Sequence, residues 1–177
     1  MRAKSLALAA VFAAIIAVLS PISIPLGPIP LTLQTLIIPL IASITLPRIS
    51  LSAVLVYLVL GLLGLPVFAG WQGGLTPFLG PTGGYLVGML IFPLVISFGM
   101  LKNQSIIWLT LLNFIAAGLQ LFVGALWLAH VANMTLSAGL LAGFVAFLIP
   151  ALIKVALVSL LVILIKHRLA LPLGLKI

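Results

Sequence analysis

One lysine, Lys154, stands inside an apolar run of a 177-residue chain that has neither aspartate nor glutamate. An ammonium at the centre of a membrane-spanning helix costs about 2.5–3.5 kcal/mol, and no side chain here can neutralise it. Two outcomes stay open for Lys154: a structural one, snorkelling to the interface or donating to carbonyls, and a partnership with a ligand carboxylate. The missing carboxylates also exclude acid–base pairs, carboxylate metal sites and proton relays through Asp or Glu. There is no Walker A run, so ATP-driven work needs a partner. With no cysteine there is no disulfide, thiolate nucleophile or Cys-based zinc site. His130 and His167 fall near opposite ends of the predicted spans and make no metal site. These residues point away from an enzyme and away from any metal or cofactor.

The remaining polar residues gather in two places. Leu65 to Gly74 and Gly80 to Tyr85 are rich in glycine and proline, so the backbone there can approach a ligand closely. Gly70 and Trp71 lie in this stretch. Thr82 reads as an N-cap, leaving the amides of Gly83, Gly84 and Tyr85 and a positive helix end turned toward an outer cavity. The second cluster, Pro28 to Thr35, carries Thr32 and Gln34. Gln34 is costly to leave unpaired in lipid. Asn113 and Gln120 share one face of a later helix. For Gln34, Asn113 and Gln120, interhelical hydrogen bonding and the lining of a cavity are both open.

The elements that must position these groups follow from composition. The chain is 65% hydrophobic and 5% charged, with a mean hydropathy of +1.53, which no aqueous fold of this size could bury. At roughly 20 residues per span, it predicts an all-α integral membrane protein: a six-transmembrane-helix bundle forming one domain over 1–177. Pro, Gly and Lys/Arg breakers predict helices at about 5–23, 30–46, 50–65, 83–101, 105–130 and 150–168. The 66–82 connection is an outer loop on the substrate side. The stretch 137–149 reads either as a short outer helix or as the first half of a long kinked helix. Met1 to Lys4 imitate a signal peptide without its cleavage pattern and are read as the start of the first helix.

Charge placement supplies the orientation. Arg2, Lys4, Arg48, Lys102, Lys166, Arg168 and Lys176 all fall on one side of six spans, so both termini are expected to be cytoplasmic. The same residues form no stripe along which a phosphate backbone could run, which argues against nucleic acid despite the net charge of +8. Trp71, Trp108 and Trp127 fit an interfacial belt. Ala9, Ala13 and Ala17, with Ala10 and Ala14, form a small-residue stripe on the first helix, as Gly84 with Gly88 and Gly139 with Gly143 do elsewhere. Such a stripe serves either contact inside the bundle or docking of another membrane subunit.

Four stretches carry a resemblance to a known family: Ile24 to Leu36 (IPLGPIPLTLQTL), Gly64 to Gly70 (GLPVFAG), Gly80 to Gly88 (GPTGGYLVG) and Ile149 to Lys154 (IPALIK). Together they resemble the BioY family, the biotin-specific S components of energy-coupling factor (ECF) transporters. The resemblance implies an S-component fold in the plasma membrane of a prokaryotic-type cell, with biotin captured near the outer face. It also implies docking on a membrane-embedded coupling subunit through the first-helix alanines, with two cytoplasmic ATPase subunits supplying energy. Lys154, Gln34 and the 82–85 amides suit biotin's carboxylate and ureido group. Two departures stand out: members often carry an acidic residue where this chain has Ala151, and many have Asn where it has Gly70. The rival readings are an S component for another small anionic vitamin and a membrane assembly subunit that transports nothing.

Overall fold

The computed structural model describes residues 3–25 and 27–168; Arg2 and Lys176 of the charge argument lie outside the described residues, as does the side chain of Arg168. Helix α1 spans Ala3–Leu19. The chain then reverses through a short antiparallel ladder, β1 (Ser23–Ile24) against β2 (Leu31–Thr32), with Ser23 opposite Thr32. This ladder takes the residues expected to form the first turn of the second helix. Pro28 and Pro30 have no N–H to contribute to a helix there, and α2 begins only at Gln34 and ends at Ile44. Helix α3 (Pro47–Leu62) starts three residues before the expected position because Pro47 sits at its N-terminus, where no donor is required.

The 66–82 connection is more structured than a loop. It holds a single 3-10 turn at Ala69–Trp71 and a one-turn helix, α4 (Thr76–Leu79). The next helix is α5 (Gly83–Gly88), which continues into a widened π-helical turn at Pro93–Ser97. Helix α6 (Ile106–Val131) is capped by Ser105, whose hydroxyl accepts from the Trp108 amide at 3.2 Å. Thr135 caps α7 (Leu136–Leu140), which runs through a second π turn, Leu141–Val145, into α8 (Ala146–Arg168). The 137–149 stretch is therefore the first part of one long helix and not a separate outer helix. Pro150 lies inside α8, where its ring crowds the carbonyl four residues back, and the widened turn directly precedes that point.

The outside, unlike that of a water-soluble domain, is as apolar as the core. Gln34, Ser43, Ser50, Ser97, Asn113, Gln120 and Ser159 are buried, while the outside is studded with Leu, Val, Ile and Phe, Ile107 being 80% exposed. Two helical stretches, Ile106–Val131 and Leu136–His167, are long and apolar enough to cross a bilayer, and four shorter apolar helices accompany them. The main core lies among α1, α2, α3 and α5 around Tyr57, Phe68 and Phe92. Helix α1 packs on α3, α5 on α6, and α8 against both α6 and α2. This leaves α2, the α3–α5 connection and α8 facing one another across the cavity described next.

Candidate functional site

Lys154 is partly buried and reaches from α8 to the start of α2. Its Nζ donates to the Thr32 carbonyl at 2.6 Å and to the Thr35 hydroxyl at 2.6 Å. Both acceptors are neutral, so the positive charge remains. The strand ladder fixes this meeting point, because β2 delivers Thr32 directly into the first turn of α2. From Thr32 a chain of hydrogen bonds runs inward. The Thr32 hydroxyl donates to Gln34 Oε1 at 3.3 Å, Gln34 Nε2 donates to the Tyr57 hydroxyl, and Tyr57 donates to the Val67 carbonyl at 3.3 Å. Gln34 is thereby engaged at both ends of its amide.

These groups border a cavity of about 610 Å3, within the size range of small-molecule sites. Its wall is mostly apolar: Phe68, Met89, Phe92, Leu121, Phe147 and Val158 contribute, with Pro39 from α2. Phe68 is held edge-on by Tyr57 and Phe78, with ring centroids 5.6 Å and 5.4 Å away. Polar groups interrupt this wall at few points. Asn113, 1% exposed, borders it from α6; its Nδ2 donates to the Leu109 carbonyl at 2.9 Å and to Ser43 Oγ at 3.2 Å, whereas its Oδ1 is buried with no hydrogen-bond partner. An amide oxygen left in that state is an acceptor waiting for a donor. Ser43 lies roughly 12 Å along α2 from Thr35 at the helical rise of 1.5 Å per residue, so the ammonium and the amide oxygen belong to different ends of the site.

Of the residues nominated from sequence, Thr32, Gln34, Gly70, Thr82, Tyr85, Asn113, Ala151 and Lys154 border the cavity. Trp71, Gly83 and Gly84 do not. Trp71 is 66% exposed. Gly83 and Gly84 are buried, and a β-carbon would collide chiefly with the Phe78 carbonyl at Gly83 and with the Trp127 side chain of α6 at Gly84. Their small size serves helix packing. Thr82 does not cap α5 with its side chain, because its hydroxyl donates to the Pro77 carbonyl at 2.9 Å, and the Gly83 amide already donates to the Gly80 carbonyl at 3.1 Å. Of the expected helix end, the side-chain cap is missing and the Gly83 amide is taken up within the chain. Tyr85 ties α5 to the widened turn, donating to the Gly143 carbonyl at 2.8 Å, and Gln120 donates to the Tyr85 carbonyl at 3.3 Å.

Gly70 explains one departure from the family pattern. Its φ is +66°, the left-handed region, and a β-carbon there would meet nothing within 4 Å. Glycine and asparagine are the residues that enter this region most readily, so the two alternatives satisfy the same backbone. Thr35, Phe68, Gln72 and Phe92 border the cavity as well and were not nominated. Thr35 had a signal in its place directly after Gln34, and Phe68 and Gln72 in lying within the 65–74 stretch, whereas Phe92 had none. Trp108 and Trp127 donate to the carbonyls of Gly99 (3.1 Å) and Gly80 (2.9 Å), so both pin loops to α6.

The alanines of α1 divide between two faces. Ala9 and Ala13 are each 1% exposed and packed inside the bundle, Ala17 is half-buried, and Ala10 and Ala14 point outward. The inward pair makes helix contact within the chain, so only the Ala10 and Ala14 side is open to another subunit.

A bundle with an apolar surface, hydrogen-bonded polar residues set within an apolar core and an ammonium on the wall of a largely apolar cavity belongs to the class of membrane proteins that hold small ligands. The comparisons with known proteins agree. The model of the BioY family matches residues 1–171, and the chain belongs to that family. It is 41% identical over 156 residues to the biotin transporter BioY2 of Lactococcus lactis subsp. cremoris, covering 88% of this chain and 86% of that one. It is 35% identical over 158 residues to a probable biotin transporter BioY of Pyrococcus horikoshii, covering 88% and 92%. Among solved structures, it superposes with a TM-score of 0.84 and 31% identity on the S component for biotin from an ECF-type ABC transporter, covering 93% of this chain and 91% of that one. The chain is a membrane-embedded transport protein and not an enzyme.

Proposed function

We propose that this chain is the substrate-specific S component of an ECF-type biotin transporter. It takes up biotin as substrate and uses no cofactor. The observation that carries the assignment of the site is Lys154: an ammonium held by two neutral oxygens on the wall of an apolar cavity, in a chain with no acidic side chain. Biotin offers a carboxylate for that ammonium, an apolar chain and bicycle for the Phe68, Phe92 and Met89 wall, and ureido N–H groups for the unpartnered Asn113 oxygen. Gly70 and Ala151 border the ligand without offering it a charge.

Six spans with both termini cytoplasmic suit this reading. Lys4, Arg48, Lys102 and Lys166 then lie at one end of alternating helices, as the positive-inside rule requires. Energy comes from partners, a membrane-embedded coupling subunit and two cytoplasmic ATPase subunits, in keeping with a sequence that carries no Walker A run. The outward Ala10 and Ala14 face of α1 is the docking surface. Ala14→Leu is expected to leave biotin binding unchanged and to lower uptake in cells that express the partner subunits; full uptake with normal complex formation would remove this face from docking.

The function itself is tested by thermal unfolding of the purified protein. A ligand present at 100 times its Kd stabilises the folded state by about 2.7 kcal/mol. Biotin is expected to raise the unfolding midpoint in a concentration-dependent way. No shift with biotin, alongside a shift with another small carboxylate vitamin, would overturn the substrate assignment.

A further inference from the structure

The ammonium of Lys154 has three N–H donors, of which Thr32 and Thr35 take two. Thr35 is the less fully engaged of these two partners. Its hydroxyl accepts from Lys154, and its own proton is directed to the Thr32 carbonyl at 3.4 Å. That is a long bond to an oxygen Lys154 already holds at 2.6 Å. Thr35 also borders the cavity. The neighbouring groups have less to offer: the Thr32 hydroxyl is turned to Gln34, Gln34 Nε2 is turned to Tyr57, and Ala151, one turn before Lys154, has no polar side-chain atom.

We propose that Thr35 is the second carboxylate-binding group of this site. One carboxylate oxygen of the ligand takes the remaining N–H of Lys154, and the other takes the Thr35 O–H, which turns away from the Thr32 carbonyl. The hydroxyl thus does two things at once: it accepts from the ammonium and so aims it, and it donates to the same anion. A carboxylate gripped at both oxygens is oriented as well as bound. The assignment rests on the reading that the ligand's carboxylate meets Lys154.

The test compares biotin with its uncharged methyl ester, binding to the purified full chain as wild type, Thr35→Val, Thr35→Ser and Lys154→Met. Thr35→Val keeps the shape and removes the hydroxyl. It is expected to weaken biotin roughly tenfold or more, the usual size of a lost hydrogen bond to a charged group, while leaving the ester's affinity unchanged. Thr35→Ser restores the donor and is expected to stay within roughly threefold of wild type for biotin. Unchanged biotin affinity in Thr35→Val, equal weakening of biotin and ester, or failure of serine to rescue would each overturn the proposal. Should Thr35→Val not fold, Thr35→Ala is read by the same criteria. The underlying reading fails separately, when wild type binds biotin and ester equally and Lys154→Met does not weaken biotin. If Lys154→Met abolishes the preference for biotin and Thr35→Val preserves it, only the role of Thr35 is lost.

Discussion

Buried polar groups occur in two regions of this bundle, and the two treat them differently. Away from the cavity, most buried hydroxyls end on partners within the chain, although Ser20 Oγ makes no hydrogen bond. Ser50 and Ser97 share a 2.7 Å hydrogen bond, Ser97 also reaches the Ala42 carbonyl at 2.7 Å, Ser43 and Thr45 bond back to their own helix at 2.7 Å, and Thr110 meets Ser159 at 2.8 Å. Around the cavity, capacity is left over: a third donor on Lys154, a weakly held proton on Thr35, and an Asn113 oxygen with no partner. The saturated hydroxyls named here tie helices together, and the spare capacity on Lys154, Thr35 and Asn113 borders the cavity. In lipid the distinction is sharp, since no water is present to complete a half-made set of hydrogen bonds.

Substitutions can break this contrast or sharpen it. The largest effect is expected at Lys154. Lys154→Met removes a buried charge that nothing in the chain neutralises, so biotin affinity should fall by roughly 100-fold or more while the ligand-free protein melts at the same temperature or higher. A drop in the ligand-free melting temperature would mark Lys154 as a structural tie between α8 and α2 instead. Asn113→Leu comes next: roughly tenfold weaker binding is expected by titration calorimetry, with little loss of stability because an unpaired acceptor leaves together with its donor. A saturated group should give the opposite result. Ser97→Ala is expected to cost about 1–2 kcal/mol in denaturant or thermal unfolding and to leave biotin affinity within roughly twofold. Gly70→Asn should have the smallest effect, since both residues accept the left-handed backbone; a large loss of either stability or binding would contradict the conformational account of that position.

How much of this was legible in the sequence depends on the range of the determining interaction. Lys154 could be picked out because a lone charge in an apolar run is conspicuous at any phase of the helix. The helical class followed from composition, and the start of α6 fell within a residue of the expected 105, whereas α3 begins three residues earlier than expected, at Pro47. The strand ladder between 23–24 and 31–32 could not be read, because two-residue strands carry no periodicity. That ladder delays the start of α2, and the phase of α2 decides that Thr35 as well as Gln34 faces the cavity. Gly83 and Gly84 were misplaced for a related reason: glycine signals close approach in sequence, but whether the approaching partner is a ligand or, as here, the Phe78 carbonyl and the Trp127 side chain is a tertiary fact. The alanine stripe shows the same limit, for Ala9 and Ala13 turn inward to α3 while Ala10 and Ala14, one residue on, turn outward.

The most direct test of the central claim is a structure of this chain with biotin bound. The account predicts a carboxylate oxygen about 2.7–2.9 Å from Lys154 Nζ, the usual distance of a charge-assisted hydrogen bond, with the bicycle extending toward Asn113. A carboxylate directed away from α8, with Lys154 still bonded only to Thr32 and Thr35, would contradict it.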